Sequence, residues 1–279
     1  MDIRGIKKQS NQIYLKYRKQ IIPEFFFVGY VSLLAQYLQS GLFSFFVSLF
    51  LCPIGHGYVK CAMKLTDEDH ALLDYHDSMV GIIDFVRVAP AYLMRKAVIL
   101  LAIMICGLPL IFFLKNELPS FSLDWFASLG NAFIQTEFLV PHFYGDLLFV
   151  NHIIVFIDII FCTIVYLGLS ALFMPVPYIM EQEEFSWLES LLYSTRLMKG
   201  NILSLFYLYF HYFIRNILYC MIAGLIILFI GGLNEILMLF CMVLSLILYI
   251  DVFKGRFEIA KYLFYKEIRG DKNEESIND

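Results

Sequence analysis

Apolar residues along this chain come in long runs, not in the three-and-four spacing of a one-sided helix. A bilayer crossing takes about 17–25 mainly apolar residues. Runs of that kind fall at about 23–40, 41–63, 96–114, 148–174, 203–230 and 233–253. The first two are nearly continuous, broken chiefly at Gln36 and at Gln39–Gly41. They form either two spans turning there, or one long kinked helix followed by a re-entrant segment. We expect the turn, because the apolar signal resumes through Val59–Met63 beyond Pro53, Gly55 and Gly57. That Pro/Gly cluster should interrupt the second span, since proline removes a backbone donor.

Between the runs lie an amphipathic start at 1–22, a loop at 64–95, a second loop at 115–147, a connector at 175–202 and a tail at 254–279. In the start, Ile3, Ile6, Ile13, Tyr14 and Tyr17 alternate with cations. This suits a helix lying along a membrane surface, with Pro23 opening the first span. The tail reads as a helix followed by a disordered polar end from Gly270. No CxxC pair occurs among the six cysteines, and no secretory cleavage site follows the first run.

Composition agrees with the pattern. Of 279 residues, 60% are hydrophobic and only 16% charged, and the mean hydropathy is +0.71. A soluble domain carries about 25% charge, so this chain has more apolar surface than one core can hide. The net charge of −4 gives no basic field for nucleic acid.

Charge placement sets the expected orientation. Six Lys/Arg lie in 1–22, five in 60–96, two in 175–202 and six from Lys254 onward, against Lys115 alone in 115–147. A six-span chain with both ends inside therefore keeps nineteen of twenty-one basic residues on the cytoplasmic side, leaving Arg215 in a span. The positive-inside rule favours this over five spans, which would put the basic tail outside. The expectation is an all-α polytopic membrane protein with cytoplasmic interfacial helices.

The connector carries the clearest local signals. Ser186-Trp187-Leu188-Glu189 has the capping-box form, and Gly200 stands where a helix would end in the left-handed conformation. Leu188, Leu191, Leu192, Thr195 and Met198 recur at helical spacing as one apolar face. Trp187 suits a headgroup layer, and Arg196 and Lys199 fall in the last turn, beside lipid phosphates. The stretch reads as an interfacial helix, with Trp187, Arg196, Lys199 and Gly200 the candidate docking motif for lipid or a partner.

Ser194-Thr195-Arg196-Leu197-Met198-Lys199-Gly200-Asn201, followed by an apolar run, resembles the signature of the DUF975 family of uncharacterised bacterial polytopic membrane proteins. Pro53–Gly57, Asp84-Phe85 and the run from Ala260 to Tyr265 are similar to further family features. Tyr209–Phe213 departs from the Gly-Trp stretch usual in the fifth span. The resemblance implies a multi-pass protein of a bacterial plasma membrane and no particular reaction.

Polar groups inside spans are the default functional candidates. They are His56, Asp158, His211, Arg215, Asn216, Asn234, Glu235 and Asp251. Asp158, His211 and Arg215 form the candidate intramembrane site, Asp158 and Arg215 being able to pair across the fourth and fifth spans. The acidic run Asp67–Asp77 would place His70, Asp74 and Asp77 on one helical face, but it has no metal-motif spacing, nor have Glu137, His142, Asp146 and His152. It reads as a solvated acidic loop. No nucleophile elbow, phosphate loop or dinucleotide fingerprint is present.

No catalytic site, metal or cofactor is therefore expected. The expected function is that of an accessory or scaffold protein of membrane machinery or envelope maintenance, with the bilayer and other membrane proteins as partners. The alternative is a small transporter with a polar path near Asp158, His211 and Arg215. An enzyme acting on lipid ranks third.

Overall fold

The computed structural model describes residues 2–37, 52–68, 70–113, 152–183, 185–231 and 235–278. Among the described residues the chain is all-helical, without strands. The outer loop 115–147 and the turn expected at Gln39–Gly41 lie outside them.

Helix α1 runs Ile3–Tyr37 in one piece. Its buried positions are Ile6, Ser10, Tyr14, Tyr17, Ile21, Phe25 and Val28, recurring in steps of four, four and three along one side of the helix. Pro23 lies on the opposite, exposed side. The amphipathic start and the first apolar run are thus one helix, where a break was expected at Pro23. Proline deletes one backbone bond, and the packed stripe on the far side carries the helix past it.

A 3₁₀ turn at Cys52–Gly55 leads into α2 (His56–Asp67), so the Pro/Gly cluster does interrupt this region. Helix α3 (Tyr75–Ile83) then crosses α2 at glycines. A Cβ on Gly57 would sit 1.9 Å from the Ser78 carbonyl oxygen, and one on Gly81 2.0 Å from that of Pro53. Only hydrogen fits at either position.

Helix α4 (Phe85–Phe113) and α5 (His152–Leu172) follow, and a turn at Phe173–Pro175 opens the short α6 (Val176–Gln182). Among the described residues two stretches, Phe85–Gly107 and Ile160–Gln182, are long and apolar enough to cross a membrane. Helix α7 spans Trp187–Met198, α8 Ile202–Gly231 and α9 Glu235–Tyr249. A π-turn at Ile250–Lys254 joins α9 to α10 (Gly255–Asn278), which continues through the end expected to be disordered.

The main core lies where α1 and α10 pack antiparallel. The Asp2 backbone N–H donates to Glu267 at 3.1 Å, and Arg256 Nε donates to Asn11 Oδ1 at 2.9 Å. Tyr14, Ile21, Ile259, Phe264 and Ile268 fill it, with Leu197, Met198, Leu205 and Leu208 from α7 and α8. Tyr178 of α6 stacks between Tyr262 and Tyr265 at ring separations of 5.4 and 5.3 Å. Burial pushes the Tyr265 phenol up to about 12.

Helix α7 has the expected caps, and its apolar residues divide between the protein and the outside. Ser186 and Glu189 form the capping box, and Gly200 has φ +89°. The buried side is Ser190, Leu191, Ser194, Leu197 and Met198, while Leu188 and Leu192 are exposed. The two serines tolerate burial because each hydroxyl donates to a carbonyl, of Ser186 and Leu172 respectively. That releases the leucines to the outside.

Candidate functional site

Two polar assemblies stand out, and the first centres on Glu181. Pro175 precedes α6 and Pro177 lies within its first turn, where a missing N–H costs nothing. This short helix delivers Glu181 to the crossing of α2 and α4. His56 and Lys60 stand one turn apart on α2, so they share a face, and Arg87 projects from the first turn of α4. The Glu181 carboxylate accepts from His56 Nε2 at 2.9 Å, from Lys60 Nζ at 2.5 Å and from the Arg87 guanidinium. His56 Nδ1 lies 3.1 Å from the Tyr92 hydroxyl. A neutral imidazole satisfies both neighbours, Nε2–H donating to the carboxylate and Nδ1 accepting from the phenol.

A carboxylate–imidazole pair can move protons, but only if a substrate reaches it. The side chains of His56 and Glu181 are 0% and 2% exposed. This assembly is a joint that ties α2, α4 and α6 together. Next to it, Gln182 donates to the Tyr262 hydroxyl at 2.7 Å, and Arg269 bonds both Gln182 and Glu183. The joint thereby reaches α10.

The second assembly is a crevice of about 260 Å³ between α1, α8 and α10. Arg4, Lys7 and Lys8 of α1 face Arg215 of α8 and Arg256 of α10 across it. Arg256 is held rigidly. It donates to Asn11 and to the carbonyls of Asp251 and Val252, and it lies 4.4 Å over the Tyr14 ring. The π-turn supplies those carbonyls, since it interrupts the regular helical ladder. Burial, and then the Arg215 charge beside it, lower the Arg256 pKa. Arg215 donates to the same Val252 oxygen at 3.3 Å. None of the five cations forms an ion pair with a carboxylate among the described residues. Asp251 is engaged by Arg18 through a two-point pair at 2.6 Å and by Tyr14, and Glu258, two residues from Arg256, is paired with Lys254 and Lys261.

The intramembrane candidates lie on α5 and α8. Asp158 lies on α5, and its side chain is outside the described residues. Arg215 belongs to the crevice, and His211 is half-buried with its ring 6.0 Å from that of Tyr212. On α7, Trp187 opens the helix and Arg196 occupies its last turn, with Lys199 as C-cap and Gly200 beyond. Twelve residues separate the two ends of that motif by about 18 Å of helix, so it forms a surface and not a pocket.

Two carboxylates of the acidic run, Asp67 and Asp77, are engaged. Asp77 pairs with Lys64 at 2.8 Å and accepts the Asp74 backbone N–H at 2.9 Å, starting α3. Asp67 pairs with Lys266 at 2.9 Å and accepts from Tyr262. His70 precedes the helix instead of sharing its face. Among the described residues no group of three or more His, Cys, Asp or Glu side chains is placed to hold a metal. Glu137, His142 and Asp146 lie outside them.

Sequence reasoning passed over Glu181, Lys60 and Arg87. Their only signal was the i, i+4 pair His56/Lys60 next to a Pro/Gly break. It also treated Arg256 as one of six tail cations. No family model matches this chain, nor does any curated protein or solved structure. The resemblance drawn from Ser194–Asn201 therefore stands on those residues alone.

Proposed function

We propose that this protein is a multi-pass membrane scaffold with both ends in the cytoplasm, presenting a rigid helical cap on the inner face of a bacterial plasma membrane to other membrane machinery. One contrast carries this reading. The densest core joins the two ends of the sequence, whereas the long apolar helices turn large side chains outward. Leu101 and Ile105 of α4, Ile164 of α5, and Leu218, Met221 and Ile222 of α8 are all exposed. Only 22% of Phe85–Gly107 and 39% of Ile160–Gln182 is buried inside the protein, the reverse of a soluble core helix. Lipid is the solvent that suits such surfaces.

The same contacts support an inner boundary for the proposed bilayer. Helix α8 has 30 residues, about 45 Å at the helical rise, against a hydrocarbon thickness of about 30 Å. Part of it must lie outside the bilayer. Arg215 meets the π-turn that follows α9, and Arg18 meets Asp251 of that turn, so cations of α1 and α8 gather at the same turn. Below it lie the exposed apolar residues Trp187, Leu188 and Leu192 of α7 and Leu203 and Tyr207 of α8, a surface for partners.

Epitope tags at each end, probed in intact cells and in permeabilised ones, test the topology. Both tags should be reached only after permeabilisation. Affinity capture in mild detergent tests the scaffold role. A reproducible membrane-protein partner, lost in Leu188→Ser/Leu192→Ser, is the expected result. Recovery of the chain alone from native membranes overturns it.

A further inference from the structure

We infer that the crevice between α1, α8 and α10 is a binding site for a phosphate-bearing anion, a lipid headgroup or a free phosphate, held by Arg4, Lys7, Lys8, Arg215 and Arg256. Two guanidinium groups that share one carbonyl oxygen repel each other, and folding tolerates this only where something offsets it. Among the described residues none of these cations has a carboxylate partner. Asp251 is engaged by Arg18 and Tyr14, while an Asp2 oxygen accepts the Arg4 backbone N–H at 3.0 Å. Both guanidinium groups are held from behind, leaving donors directed into the crevice. Planar forks of this kind match phosphate oxygens, and lysines add charge without demanding geometry.

The walls have the hydrogen-bonding character such a ligand needs. The Tyr212 hydroxyl lies 3.0 Å from Ser10 Oγ at the base of the crevice, and Asn11 is fixed by Arg256. The setting favours a headgroup as the source. Phe213, Ile214, Ile217 and Leu218 flank Arg215 on α8, and all are exposed, so the cationic crevice adjoins an apolar surface as a phosphate layer adjoins acyl chains. The ligand class rests on the crevice's charge and would survive loss of the scaffold reading, just as a scaffold would survive an empty crevice.

The test is calorimetric titration of the full chain in a neutral maltoside detergent with short-chain phosphatidylglycerol, short-chain phosphatidylcholine and inorganic phosphate in turn. Wild-type protein should bind phosphatidylglycerol at least tenfold more tightly than phosphatidylcholine. Lys7→Gln/Arg215→Gln should lose at least tenfold of that affinity, and the exposed control Lys19→Gln should lose none. If inorganic phosphate also binds with the same variant dependence, the free anion is the ligand. If only phosphatidylglycerol does, the headgroup is. Should the double variant misfold, Lys7→Gln/Lys8→Gln carries the same expectation at about threefold. Equal affinity for the two lipids without phosphate binding, or unchanged affinity in the variants, overturns the assignment.

Discussion

His56 Nε2 and the Glu181 carboxylate meet at 2.9 Å across 125 residues of sequence, both sealed from solvent. Removing one partner from such a pair strands the other. Glu181→Ala leaves a buried imidazole N–H and two cations without their shared acceptor, and an unsatisfied buried donor costs about 1–3 kcal/mol. Lys60 and Arg87 are partly exposed, so their share is small. Thermal unfolding in detergent should show a large fall in Tm for Glu181→Ala and a slight one for Lys60→Gln. Equal effects would mean that the cations, not the imidazole, hold this joint.

The crossing of α2 and α3 predicts a steric threshold. Gly57→Ala and Gly81→Ala each press a methyl group into a backbone carbonyl, which no rotamer change relieves. Either variant should lose folded protein, read as aggregation on size-exclusion chromatography. At Gly55 a Cβ meets nothing within 4 Å. Gly55→Ala should therefore fold as well as wild type, or be more stable by up to about 1 kcal/mol through lost unfolded-state freedom.

Glu258 makes stability depend on acid. Burial alone would raise its pKa, but the ammonium groups of Lys254 and Lys261, each at 2.8 Å, outweigh that and hold it below the ordinary carboxylate range. A folded-state pKa lowered below the unfolded one contributes stability that is complete above the unfolded value and disappears as pH falls through the folded value. Melting temperature should therefore hold from neutrality down to about pH 4.3, the ordinary glutamate value, and decline below it. Glu258→Gln should be less stable at pH 7 and show a shallower acid decline. A parallel decline in both proteins would place the acid sensitivity elsewhere.

Helix α7 offers a local test of its ends. Ser186→Ala removes the cap of an exposed helix start and should cost about 1 kcal/mol. Gly200→Ala forces a side chain to φ +89° and should cost about 1–2 kcal/mol. Circular-dichroism melts of the two variants measure both.

These cases also mark what could be read from the residues alone. The α7 caps were legible because every participant lies within four residues of its partner. The break at Pro53–Gly57 was legible because proline and glycine act on their own backbone. The Glu181 joint was not, since His56, Arg87 and Glu181 look like isolated polar residues until the fold unites them. The buried side of α7 was not legible for a related reason. Ser190 and Ser194 count as polar in a sequence, and only their carbonyl acceptors make them core residues. Arg215 was singled out in the sequence, yet its companions Arg4, Lys7 and Arg256 belong to segments that sequence reasoning had assigned to the membrane surface.

The antiparallel seam between α1 and α10 also bears on how the protein is made. Asp2 and Glu267 meet across 265 positions, so the first helix leaves the ribosome long before the surface it packs against exists. Until then its cations and apolar stripe must rest on something else, and under the proposed function the bilayer receiving the chain is the acidic, apolar support. Closure of the seam is thus a late step in biogenesis, and a nascent chain arrested before Gly255 should expose α1 to protease that the finished protein resists.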